Sequence, residues 1–151
     1  MTSTPRQRSA AALAAAAGLG FGIPGIFGMR HFVETGDIWT FAGFPTYGEG
    51  PFENIGLETS TPLLAGFVVV CLAEVGLAAA LWRGEPKSTT LSHSLLPMEV
   101  AYWSGFALPF GFLLGIGRTA LLLTRPRPFF GSLTTQPLPP VRHTARAAGV
   151  A

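Results

Sequence analysis

Apolar residues along this chain are gathered into three long stretches, which polar segments separate. Residues 9–28 form an uncharged stretch of about 20 residues, which as a helix is long enough to cross the ~30 Å hydrocarbon core of a bilayer. Residues 62–82 form a second such stretch, and Trp82 and Arg83 at its end are typical of a membrane interface. The third stretch, residues 88–124, is less regular. The pattern predicts an all-α integral membrane protein.

The first stretch has a second interpretation as a secretory signal sequence. Arg6 and Arg8 precede it, and its alanines could serve as a cleavage site. The apolar run is long for a signal core and no polar cleavage region follows it, so we expect a retained span. A cleaved signal remains the alternative.

Small residues mark helix faces in two places. Ala14, Gly18 and Gly22 recur every four residues, so one face of the first helix is nearly bare, and Gly111 and Gly115 form a similar pair. Small residues at this spacing let two helices approach closely inside a membrane. We therefore predict that these five positions are helix-packing contacts.

The third stretch decides the topology. One long helix over residues 95–123 would give three spans, whereas a turn at residues 108–111 would create helices at about 88–107 and 112–124 and give four. Four spans put every basic cluster on one side of the membrane, as the positive-inside rule favours. These clusters are Arg6 with Arg8, Arg83 with Lys87, and Arg125, Arg127, Arg142 and Arg146. We predict a four-helix membrane bundle with both termini cytoplasmic; three spans with one long C-terminal helix is the alternative.

This topology divides the chain into two parts. Residues 1–124 form a single transmembrane helical domain, and residues 125–151, rich in Pro, Thr, Arg and Ala, form a flexible cytoplasmic tail. Within the domain, residues 29–60 are acidic and rich in aromatic and turn-forming residues, so they are predicted to be an extracytoplasmic loop at the membrane interface.

Metal and cysteine chemistry has little support in the sequence. His31, Glu34 and Asp37 lie close together along the chain, but two or three ligands on a mobile loop make a weak metal site. Cys71 is the only cysteine, so neither an intramolecular disulfide nor a cysteine-based zinc site can form. We predict no metal.

Composition supports the membrane class and excludes others. Hydrophobic residues make up 48% of the chain and charged residues 12%, well below the roughly 25% charge of soluble domains. The net charge of +2 does not form a basic patch, because the basic residues flank the apolar runs. We therefore predict no nucleic-acid partner.

Three ionisable residues, Glu74, Glu99 and Arg118, lie inside the apolar stretches. A charge near the bilayer centre costs roughly 2.5–3.5 kcal/mol, so such residues usually face one another or a polar cavity. Counted from the predicted turn, Glu99 and Arg118 differ in depth by only ~3 Å, and Glu74 falls in the same layer. This intramembrane polar cluster either fixes the helix packing or holds a proton or a polar group such as a quinone headgroup.

Two segments carry a resemblance to a known family. Residues 67–82, FVVVCLAEVGLAAALW, resemble the second helix of the DoxX-like family of small four-helix bacterial membrane proteins, and residues 22–32, GIPGIFGMRHF, are similar to the end of its glycine-rich first helix. The resemblance covers mainly residues 18–32 and 62–82, and Glu74 matches a family position. It implies a four-helix bundle and, in some members, association with quinone-linked or thiol-linked redox enzymes.

The expected function is that of a small accessory or assembly subunit of a larger inner-membrane complex, with a respiratory or redox complex as the candidate. The alternatives are a component of a quinone-linked membrane oxidoreductase and a small transporter or proton path that uses Glu74, Glu99 and Arg118. Whether the protein is an enzyme is undecided, and the lack of a catalytic motif points away from one. No cofactor is predicted, and quinone is the candidate if one is bound. Expected partners are membrane lipid and other membrane-protein subunits, with redox enzymes the candidates.

Overall fold

The computed structural model describes residues 3–124, which are mostly helical. In chain order the elements are α1 (Pro5–Thr35), β1 (Thr40–Phe41), β2 (Phe44–Pro45), α2 (Pro51–Asn54), α3 (Thr61–Arg83), α4 (Ser88–Gly105) and α5 (Pro109–Leu123). The two strands form a small antiparallel hairpin in which Thr40 pairs with Pro45 and Phe41 with Phe44. The hairpin and α2 both belong to the connection between α1 and α3.

The ends of the long helices follow from local sequence. The Thr4 side chain accepts a hydrogen bond from the Gln7 backbone N–H, and the Gln7 side chain accepts one from the Thr4 N–H, which together form a capping box at the start of α1. Gly36 ends α1 and Gly84 ends α3, both with the left-handed backbone that glycine adopts without strain. Pro109 lies in the first turn of α5, where a missing N–H costs nothing.

The four long helices pack in a closed ring. Helix α1 contacts α3 and α5, and α4 contacts the same two helices from the other side. At one end of the ring, the Arg6 guanidinium donates a hydrogen bond to the Thr124 carbonyl at 2.5 Å, and the Arg8 guanidinium lies 5.7 Å from the centre of the Trp82 ring. The start of α1 and the ends of α3 and α5 therefore share one basic end of the molecule.

Aromatic residues close the opposite end. The ring of Tyr47, from the α1–α3 connection, packs against Phe67 of α3 and Phe106 just after α4, and Phe52 of α2 packs against Phe106 as well. The Tyr47 hydroxyl donates a hydrogen bond to the Phe21 carbonyl of α1 at 2.9 Å. These contacts fix the connection over the ends of the helices.

Two helices, α1 and α3, are long and apolar enough to cross a membrane, and α5 is apolar but shorter. The region after residue 88 forms two helices, and the single long C-terminal helix of the alternative prediction is not observed. The predicted loop at 29–60 needs a correction, because α1 continues as a helix to Thr35. The tail predicted at 125–151 lies outside the described residues.

Candidate functional site

Glu74, Glu99 and Arg118 meet in the interior between α3, α4 and α5. The Arg118 guanidinium donates two hydrogen bonds to Glu99, one from Nη1 to Oε1 at 3.0 Å and one from Nη2 to Oε2. The same Nη1 lies 3.8 Å from Oε1 of Glu74, which is an ion-pair distance but too long for a hydrogen bond. All three side chains are at most 1% exposed. We call these three residues the buried ion cluster.

The buried ion cluster lies between two apolar layers. On each helix, the residues one turn before and after the charged residue lie on the same face, and they are apolar. Toward the basic end, Leu77 and Leu81 pack with Ala10 and Ala14 of α1. Toward the aromatic end, Phe67 and Cys71 pack in one apolar cluster with Leu64, Tyr47 and Phe106. These layers separate the three ionisable side chains from both ends of the molecule.

The hydrogen bonds within the cluster are unequally shared. Glu99 holds the planar, two-point interaction that a guanidinium forms best with a carboxylate. Oε1 of Glu74 and Nε of Arg118 are both buried without a hydrogen-bond partner. Two carboxyl groups therefore face one guanidinium, and Glu74 is the less well satisfied of the two.

The small residues of α1 lie against α3. A Cβ on Gly18 would fall 2.7 Å from the Cys71 carbonyl oxygen, and one on Gly22 would fall 3.0 Å from Cys71 Cβ. Ala14 is completely buried beside Leu77. Helix α1 thus approaches α3 closely at the level of Glu74 and brings only small side chains to that level.

Gly111 and Gly115 make room for one large side chain, Trp103 of α4. A Cβ on either glycine would lie within 2.6 Å of atoms of the indole ring. Trp103 follows Glu99 by one helical turn, and Gly115 precedes Arg118 by about one turn, so the same contact sets the register of both charged residues. Sequence reasoning missed Trp103, although its position four residues after Glu99 places both side chains on one helix face.

The metal candidates are not assembled into a site. Glu34 instead accepts a hydrogen bond from Nε of Arg30 at 2.8 Å, in an exposed pair on the last turns of α1. Among residues 3–124, no three His, Cys, Asp or Glu side chains lie in a metal-binding arrangement, and so His31, Glu34 and Asp37 do not form one.

Acidic residues line an open cavity of about 480 Å³ outside the helix ring. Its carboxylates come from Asp37, Glu49, Glu53 and Glu58. The Thr59 hydroxyl donates a hydrogen bond to Glu53 at 2.6 Å, and this bond lowers the pKa of the Glu53 carboxyl. The cavity gives this end of the molecule a negative surface.

Comparison with protein-family models, with curated proteins and with solved structures gave no match for this chain.

Proposed function

We propose that this is an integral inner-membrane protein whose four long helices all cross the bilayer, with both termini in the cytoplasm. Support comes from the outward faces of the helices, where many large apolar side chains are exposed, a pattern that marks surfaces in contact with a membrane or another protein. They include Leu19, Ile23 and Phe27 on α1, Val69 and Leu72 on α3, Met98 and Val100 on α4, and Phe110, Leu113 and Ile116 on α5. The described charges lie in the buried ion cluster or near the two ends.

The orientation rests on the charges at the two ends of the ring. The end formed by the start of α1 and the α3–α4 linker carries Arg6, Arg8, Arg83 and Lys87, with Glu85 as its acidic residue. The other end carries the acidic cavity, and its arginine, Arg30, is paired with Glu34. Basic residues are retained on the cytoplasmic side of membranes, so we infer that the first end is the cytoplasmic one.

Cysteine labelling tests this topology. Cys71 is replaced by serine, and single cysteines are introduced at Gly43 in the hairpin, at Lys87 and at Ala107, the last two as matched positions at opposite ends of α4. In intact cells a membrane-impermeant maleimide should label positions 43 and 107, and position 87 only after lysis. Labelling of position 87 from outside, or protection of position 107, would contradict four crossings in this orientation.

For the activity, we propose that the protein is an accessory or assembly subunit of a larger membrane complex. The observation that carries this role is the seal around the buried ion cluster, whose members are at most 1% exposed and so have no direct access to a dissolved substrate. An arginine that holds a carboxylate by two hydrogen bonds inside a helix ring serves packing more readily than turnover. The resemblance to the DoxX-like family supports a redox complex, with quinone-linked enzymes as the partner class.

A second row of small residues on α1 supports a helical partner. Ala12, Ala16 and Gly20 are exposed at four-residue spacing, and a Cβ on Gly20 would have no described atom within 4 Å. An offset of two residues turns a helix by about 200°, so this row lies on the side of α1 roughly opposite to the row that packs on α3. Leucine at Gly20 should therefore leave the fold intact but block the close approach of another helix.

Purification in mild detergent tests the role. The parent protein should co-purify in fixed stoichiometry with larger membrane proteins, and Gly20→Leu should lose them. Gly76→Leu, a matched change at an open glycine on α3, should retain them. A monomer with its own quinone-dependent turnover would favour the oxidoreductase alternative, and proton or solute flux in liposomes that Glu74→Gln abolishes would favour the transporter.

A further inference from the structure

We propose that the buried ion cluster is a binding site for a single proton, which Glu74 holds beside the ion pair of Arg118 with Glu99. The assignment concerns the chemistry of the cluster and does not depend on an accessory role. A protein without partners could hold the proton, and an accessory subunit could lack it.

Charge balance is the first step. Arg118 supplies one positive charge to two carboxyl groups, and all three side chains are sealed from solvent. A buried charge without a partner is strongly unfavourable in a low-dielectric interior, so the stable composition is the neutral one. One proton on the carboxyl pair makes the cluster neutral.

The geometry assigns that proton to Glu74. Glu99 accepts two hydrogen bonds from the guanidinium, which stabilises its ionised form. Oε1 of Glu74 stands 3.8 Å from Nη1 of Arg118 and has no hydrogen-bond partner. The carboxyl that gains least from the guanidinium is the one that carries the proton.

No other described group near the cluster changes this balance. Helix α1 contributes Ala14 and Gly18 at this level, neither of which is ionisable. On α3 the neighbouring titratable group is the Cys71 thiol, which is neutral when protonated. Helices α4 and α5 contribute Glu99 and Arg118 themselves.

The sequence makes the proton measurable. Glu74 and Glu99 are buried, whereas the other six of the eight acidic side chains, all within the described residues, are exposed or half-buried. Burial favours the neutral form of a carboxyl group, and of the eight only Glu74 and Glu99 are buried; the half-buried Glu53 carboxyl has a pKa lowered by its hydrogen bond from Thr59. A neutral glutamic acid at pH 7 would therefore come from the cluster.

Infrared spectroscopy of the full-length protein tests the proposal. The protein is purified in dodecyl maltoside, which has no carbonyl group, and a second sample carries ¹³C-labelled glutamate. At pH 7 the parent should show the C=O stretching band of one neutral carboxylic acid, and the label should shift that band. A parent spectrum without the band would overturn the proposal, because both carboxylates would then be ionised.

Substitutions assign the band to the buried ion cluster by counting charges, and the geometry then assigns it to Glu74 within the cluster. Glu74→Gln should lose it, and Glu99→Gln should also lose it because Arg118 can then pair with Glu74 as a carboxylate. Arg118→Gln should double its intensity, since both carboxyls would become neutral. Glu53→Gln, the matched control outside the cluster, should leave it unchanged. Persistence of the band in Glu74→Gln, or in a folded Glu99→Gln protein, would overturn the assignment.

Discussion

Replacing Arg118 with alanine removes two hydrogen bonds to Glu99 and the 3.8 Å contact with Oε1 of Glu74 in one step. All three groups are at most 1% exposed, so water cannot take the place of the guanidinium. Breaking a buried pair by removing one partner typically costs about 3–5 kcal/mol. Folded domains are stable by only about 5–15 kcal/mol, so the expected loss is a large part of the total. At about 1.4 kcal/mol for each factor of ten, the folding equilibrium constant should fall between roughly 100-fold and several thousand-fold.

The loss can be measured by titrating the protein from a mild detergent into sodium dodecyl sulfate and following helix content by circular dichroism. Arg30→Ala is the matched control, since it breaks an exposed Arg–Glu pair whose N–O distance of 2.8 Å is similar to that in the buried pair. It should not change the detergent concentration at which the protein unfolds. The double variant Arg118→Met with Glu99→Leu removes the guanidinium together with its main carboxylate partner, so it should recover most of the lost stability. If the role of the pair is purely structural, the double variant should also recover full cellular activity.

Two results would refute this reasoning. An Arg118→Ala protein as stable as its parent would show that the guanidinium is not paired in the interior. A double variant as unstable as Arg118→Ala would show that the loss comes from the missing volume of the arginine side chain and not from an unpaired carboxylate.

Two further predictions concern the packing around the cluster. Gly111→Ala would place a methyl group 2.5–2.6 Å from three atoms of the Trp103 indole, so it should lower the stability by about 1–3 kcal/mol in the same titration. Gly20→Ala, which adds a methyl group in open space, should not lower it. Equal effects of the two substitutions would contradict the close contact. Tyr47→Phe removes the 2.9 Å hydrogen bond to the Phe21 carbonyl and should cost about 0.5–1.5 kcal/mol, with faster proteolysis of the α1–α3 connection. Unchanged proteolysis would mean that the hydroxyl does not hold the connection in place.

Counting residues from the α4–α5 turn was enough to predict that Glu99 and Arg118 could meet, because helical rise converts sequence distance into depth. The sequence does not predict how the hydrogen bonds of Arg118 divide between Glu74 and Glu99. Which carboxylate receives the two-point interaction depends on the rotation of α4 and α5 about their axes, and Trp103 against Gly111 and Gly115 sets that rotation. The spacing of Gly111 and Gly115 marks a packing face in the sequence, but it does not tell which side chain fills that face.

The hydrophobic pattern alone does not predict where the helices begin and end. The first apolar stretch ends at residue 28, yet α1 continues to Thr35, because the Arg30–Glu34 pair and the Gly36 cap stabilise helix outside the apolar region. The sequence analysis predicts a turn at residues 108–111, yet Pro109 lies in the first turn of α5. Proline is compatible with both positions, and only the preceding break at residues 106–108 distinguishes them.

Helix α5 depends on α4 at two points, and this dependence predicts how substitutions combine. Its 15 residues extend only about 22 Å, short of the ~30 Å hydrocarbon core, and apolar faces alone have little preference for another helix over lipid. Two contacts therefore make α5 prefer α4 over lipid: the Trp103 indole packs against Gly111, and the Glu99 carboxylate binds Arg118. If loss of the ion pair already releases α5, adding Gly111→Ala to Arg118→Ala should cost clearly less than the sum of the single effects. The detergent titration of the two single variants and the double variant measures this, and strictly additive losses would show that α5 stays docked on α4 without Arg118.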